Sequence, residues 1–174
     1  MSEPRLDARA RGLAQPLFLL LIAAAAAFIL ISSASLPSQV ASHFDAAGVP
    51  NGFMSRAAYQ RIMLVLVVAV ASMIGWLPAV ALRRPDARIN LPHREYWLAP
   101  QRRAATIELL LGRMRSFAGG VLLFLCYAHE LVVRANRSSP ARLSARAIEW
   151  GVVLFLAATF IWTLRLTRRF RRID

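Results

Sequence analysis

Four long apolar runs, each bounded by charge, constrain this chain more than any other feature. A bilayer core takes about 20 apolar residues of helix, and the runs over 13–36, 62–82, 117–133 and 148–166 are of that order. No charged residue falls between Arg11 and Asp45, and none from Ile62 to Leu82. Lipid selects this arrangement, because a charge in mid-membrane is costly. The expected fold class is all-α: an integral membrane four-helix bundle with a short structured extracytoplasmic turn between helices 1 and 2. With 174 residues the chain is expected to be a single membrane domain, 1–174.

Each run carries a local signature. Gly75 and Pro78 sit near the end of the second and are placed to bend it. The third holds His129 and Glu130 only near its end, where interfacial water is within reach. The fourth has Trp150 and Trp162 toward its two ends, a depth that suits an apolar ring with a polar N–H. The first has a rival reading as a cleaved signal peptide. Arg5, Arg9 and Arg11 would be its basic region, and Ser33-Ala34-Ser35 its cleavage site. Its apolar stretch is long for a signal peptide, which favours a retained span, and either reading leaves the remaining topology the same.

All 22 basic residues are arginine, and the net charge is +13. Most of these arginines flank the apolar runs, and no basic stripe with interleaved aromatics stands on a soluble element, so no nucleic-acid partner is expected. An arginine-only composition fits a GC-rich bacterial genome, and hence a bacterial cytoplasmic (inner) membrane. Placing both termini in the cytoplasm puts sixteen arginines inside and six outside, the sense the positive-inside rule selects. The single cysteine, Cys126, forms no intrachain disulfide and fits no zinc pattern.

Two loops are more than connectors. In the first, Val40, Ser42 and Phe44 alternate with Ala41 and His43, as an extended segment does. Asp45 to Gly48 and Pro50-Asn51-Gly52 have turn chemistry, with Gly48 and Gly52 able to take positive φ. Ser55 is an N-cap candidate for the second helix. In the second, Ala104, Ile107, Leu111 and Met114 form an apolar face after Pro100. They make either an amphipathic segment on the inner surface or an extension of the third helix, with Gly112 as a bend between the two. Tyr96 and Trp97 read as an interfacial anchor.

Leu36-Pro37, Val40, His43-Phe44-Asp45, Gly48, Pro50-Asn51-Gly52 and Ser55-Arg56 together resemble the motif of domain-of-unknown-function family 1648. In that family the motif joins two membrane helices. The stretch from Asn90-Leu91-Pro92 to Tyr96-Trp97-Leu98-Ala99-Pro100 is similar to a cytoplasmic segment of many such proteins, so the resemblance spans about residues 20–100. Some relatives carry the motif ahead of an Sdp-type immunity module. The resemblance implies the membrane topology, and an accessory, sensing or immunity-type role would follow from an external loop that binds a partner or ligand.

Candidate ligand- or partner-binding residues are those of the external loop: His43, Phe44, Asp45, Gly48, Pro50, Asn51 and Gly52. A divalent metal is the one cofactor for which side chains are on hand. His43, Asp45, His129 and Glu130, with Glu149 near, are all expected on one side of the membrane, and they are ligand types Zn²⁺ accepts. Their spacing matches no known metal motif. The plainer reading has His43 bracing the loop, Asp45 making an Asx-turn, and Glu130 pairing with Arg134 four residues on. No phosphate loop, nucleophile elbow or helical zinc-protease pattern occurs. The expected function is that of a non-enzymatic multi-pass protein whose external loop binds a partner or ligand. A metal-dependent membrane enzyme or ion-binding protein is the first alternative and a transporter subunit the second. Lipid, a second membrane protein or further copies of the chain are the partner classes.

Overall fold

The computed structural model describes residues 3–84 and 87–173, with side chains from Gln15 onward. The elements run α1 (Glu3–Ser33), β1 (Gln39–Phe44), β2 (Pro50–Ser55), α2 (Arg56–Gly75), α3 (Leu77–Leu82), α4 (Arg94–Trp97), α5 (Pro100–Arg137) and α6 (Ala145–Arg171). Four segments among the described residues are long and apolar enough to cross a membrane: Gln15–Ser33, Arg56–Leu82, Pro100–Arg137 and Ala145–Arg171. The chain is a multi-pass membrane protein, all-α but for one small hairpin.

Helices α1, α2 and α5 pack against one another, and α6 lies along α5. The second span breaks at Trp76, between α2 and α3. Pro78 offers no N–H to the turn before it, and Gly75 lets the Phe18 ring approach so closely that a Cβ would meet it. Trp76 then stacks edge-on against Phe18 at 5.3 Å.

Apolar side chains are buried at three levels. Phe18, Ile29, Val67, Ala71, Ala118 and Leu122 form the middle of the three-helix bundle. Leu36, Val40, Tyr59 and Val133 close the end that carries the hairpin. Ile89, Trp97, Ile107, Leu110, Leu111 and Phe170 close the arginine-rich end.

That last layer decides between the two readings of the segment after Pro100. α5 is one helix of 38 residues, about 57 Å at 1.5 Å per residue, far longer than a bilayer core of about 30 Å. Its first turns continue the span beyond the apolar run, with no break at Gly112, and bury Ile107 and Leu111 instead of lying on lipid. Trp97 is not an interfacial anchor. It is 8% exposed, its Nε1 donates to the Phe170 carbonyl at 2.9 Å, and the Trp97 carbonyl accepts from Thr106 Oγ1 at 2.8 Å. Phe170, in the last turn of α6, stacks edge-on against it at 5.3 Å.

Candidate functional site

The loop between the first two spans folds as an antiparallel hairpin, with Val40 opposite Met54 and Gln39 opposite Ser55. The turn is narrower than the sequence pattern implies. Pro50-Asn51-Gly52 belongs to a strand, because Pro50 opens β2, where a missing N–H breaks no ladder bond. Reversal occurs over Asp45 to Val49. The Asp45 carboxylate accepts from the amides of Ala47 (2.9 Å) and Val49 (2.8 Å), an Asx-type turn. Gly48 takes φ 77°, the left-handed region that favours glycine.

Gly52 does not share that role; a Cβ there would lie 3.0 Å from His43 Cβ and 3.2 Å from its Nδ1. It is small because the imidazole of the opposing strand lies over it. His43 Nδ1 is 3.1 Å from Ser42 Oγ, its neighbour on the same strand. Phe44 is half-buried, and Asn51 is exposed.

Three anchors fix the hairpin to the bundle. Asn136, in the last turn of α5, makes a two-way bond with Ala41: the Ala41 amide donates to Oδ1 and Nδ2 donates to the Ala41 carbonyl, both at 2.9 Å. Gly48 sits against the α5–α6 connection, where the Leu143 amide donates to its carbonyl at 3.0 Å. A Cβ on Gly48 would be 2.1 Å from the Leu143 carbonyl oxygen. Arg56 forms the third anchor. Its Nη1 donates to the Ala34 (3.3 Å) and Leu36 (3.1 Å) carbonyls just past α1, where a cation also offsets the negative helix end. Ser55 caps α2 by accepting from the Ala58 amide at 3.2 Å.

Beneath the hairpin lies a buried polar cluster joining three helices. His129 of α5 is 1% exposed. Its Nε2 is 2.7 Å from Ser32 Oγ of α1, and its Nδ1 is 2.9 Å from the Tyr59 hydroxyl of α2. The Tyr59 and His129 rings stack at 5.6 Å, and Phe28 meets the imidazole edge-on at 5.7 Å. Proton counting fixes the directions. Ser32 Oγ donates its one proton to the Phe28 carbonyl at 2.5 Å, so it accepts from His129 Nε2–H. The bare Nδ1 then accepts from Tyr59 O–H. Every donor and acceptor of the neutral imidazole is satisfied, which makes the cluster a three-helix clasp.

The expected metal residues fall into separate settings. Asp45 Oδ1 accepts from the two turn amides, and Glu130 Oε1 accepts from Arg134 Nε at 2.7 Å. His129 is enclosed in the clasp, and His43 lies on the hairpin. Among the described residues no three His, Cys, Asp or Glu side chains gather at metal-binding distance. Sequence reasoning missed Ser32, Tyr59 and Asn136. Each is a polar residue within or at the edge of an apolar run, and that is the one signal that marks them.

Against known families, the model for a domain of unknown function (DUF1648) matches residues 19–68. Those residues are similar to a DUF1648 domain. The domain holds most of the apolar run of α1, the whole hairpin and the first half of α2, so it contributes Ser32, Tyr59, Arg56 and Gly48. His129, Asn136 and Leu143, which complete the clasp and two anchors, lie outside it. The stretch over 90–100 also lies outside the DUF1648 match. No curated protein and no solved structure matches the chain.

Proposed function

We propose that this is a non-enzymatic protein of a bacterial inner membrane, with both termini cytoplasmic, whose DUF1648 hairpin is a fixed extracytoplasmic platform for a partner membrane protein. An accessory, sensing or immunity-type role follows from such a platform. The observation that carries the reading is that the hairpin is held at Ala41, Gly48 and Arg56 yet leaves Val49 (46%) and Phe53 (57%) exposed. A pre-ordered strand with an exposed aromatic loses little entropy on association, which is what a recognition surface needs. The outward row Asn51, Phe53 and Ser55 alternates with inward Gly52 and Met54, so the exposed side chains share a face.

A photo-crosslinking phenylalanine analogue at position 53 tests this in cells. One discrete membrane-protein adduct, abolished by Val49→Asp, is expected. Adducts confined to lipid would make Phe53 an interfacial anchor and overturn the reading. The metal-dependent alternative would draw on groups that already hold other partners: both ring nitrogens of His129 are engaged, as is one carboxylate oxygen each of Asp45 and Glu130. It is tested by the metal content of the purified protein beside His43→Ala and His129→Ala.

A further inference from the structure

The hairpin has two edges, and the bundle closes one of them. The Arg56 amide donates to the Ser38 carbonyl at 2.9 Å, which makes 38–56 a hydrogen-bonded pair. Antiparallel ladders alternate, so Val40–Met54 is the next such pair. Gln39–Ser55 and Ala41–Phe53 then turn their main-chain groups away from each other. On the β1 edge the outward groups of Ala41 meet the side-chain amide of Asn136, which stands in for the peptide of a third strand. On the β2 edge the outward amide and carbonyl of Phe53 have no partner among the described residues. A donor and an acceptor so placed match an extended main chain, the geometry of strand addition. The open stretch is short and symmetric about Phe53. Pro50, three residues before it, has no N–H to offer a neighbouring strand, and α2 begins at Arg56, three residues after.

We propose that β2 pairs with β2 of a second copy of this chain, antiparallel and centred on Phe53. Two-fold symmetry sets the same surface against itself. Phe53 suits that operation, because its amide donates to the carbonyl of the other copy's Phe53 and its carbonyl accepts in return. In this register Asn51 faces Ser55 of the other copy, amide against hydroxyl, and Gly52 faces Met54, small against large. Two copies in one membrane are related by an axis along its normal, and that axis reverses a strand only when the strand lies in the membrane plane. The hairpin meets this condition. It begins between the ends of α1 and α2, and its tip rests on the α5–α6 connection, where the Leu143 amide donates to Gly48, so it lies across the end of the bundle. The pairing rests on the hairpin being a recognition surface and names its partner as the chain itself.

Disulfide formation in native membranes, in a Cys126→Ala background, gives the test. Cα atoms of a hydrogen-bonded antiparallel pair lie about 5.5 Å apart, within disulfide reach. Mild oxidation should link Phe53→Cys chains as dimers and leave Val49→Cys, four residues away and also exposed, monomeric. Asn51→Cys and Ser55→Cys should link to each other when co-expressed, and neither should link to itself. Links at every position, Val49→Cys included, would mean random collision and overturn the pairing. No dimer, with the photo-crosslinker at position 53 still capturing a different membrane protein, would overturn the pairing and leave the platform standing. No dimer and no captured protein would remove both.

Discussion

Replacing Tyr59 with Phe removes one oxygen from the clasp and nothing else. His129 Nδ1 then keeps its lone pair at a site where the imidazole is 1% exposed and the tyrosine 5%. A buried acceptor that loses its donor costs about 1–3 kcal/mol, whereas interhelical hydrogen bonds in membranes average only about 0.6 kcal/mol. The second figure is small because an opened membrane protein finds other partners. Here the opened site lies among Leu36, Val40 and Val133, which offer no side-chain donor. A cost of about 1–2 kcal/mol is therefore expected for Tyr59→Phe, read by reversible unfolding in mixed micelles. The second background carries the argument. In His129→Leu the acceptor is gone and the tyrosine hydroxyl is the orphan, so the same Tyr59→Phe change should be neutral or stabilising. Distant, independent sites add within about 0.3–0.5 kcal/mol. Equal costs in the two backgrounds, within that margin, would refute the clasp.

Two further outcomes test the hairpin and its sidedness. Gly48→Ala places a Cβ 2.1 Å from the Leu143 carbonyl at a φ of 77°. The conformational cost and the lost amide bond together come to about 2–3 kcal/mol, so hairpin amides such as Ala41 and Val49 should exchange about 30- to 150-fold faster. Gly120→Ala, whose Cβ meets nothing within 4 Å, should leave them unchanged; no difference between the two variants removes the Leu143 anchor. In a Cys126→Ala background, a membrane-impermeant thiol reagent added to cells should label Asn51→Cys and miss Arg88→Cys, and the reverse pattern would invert the assigned orientation.

How much was legible follows from what each signal depends on. The spans were legible because a run of apolar residues is a property of the chain alone, and lipid reads it without reference to neighbours. The hairpin was half legible. Val40 to Phe44 alternates in the sequence, but Pro50-Asn51-Gly52 has turn composition and becomes a strand only because β1 lies alongside. Glu130 pairing with Arg134 was legible because four residues on one helix are always neighbours. His129 was not. Its partners Ser32 and Tyr59 are 97 and 70 residues away along the chain, and only the packing of α1 and α2 on α5 brings them to it. Trp97 misled for a related reason: an interfacial indole and an indole buried under a neighbouring helix have the same local sequence.

The residues that carry the family resemblance do mechanical work in this fold. Asp45 closes the turn, Gly48 admits the Leu143 backbone, and Gly52 makes room for His43. Ser55 starts α2, and Arg56 binds the carbonyls past the end of α1. Each role fixes the hairpin's position. Val49 and Phe53, which that resemblance does not include, are the hairpin's large exposed apolar side chains. If the hairpin is a recognition platform, a frame held by these residues would leave the exposed pair Val49 and Phe53 to make the contacts that discriminate between partners. On this argument, specificity in the hairpin should track positions 49 and 53. Exchange of that pair should redirect binding without loss of folding, whereas exchange of Gly48 or Arg56 should lose both.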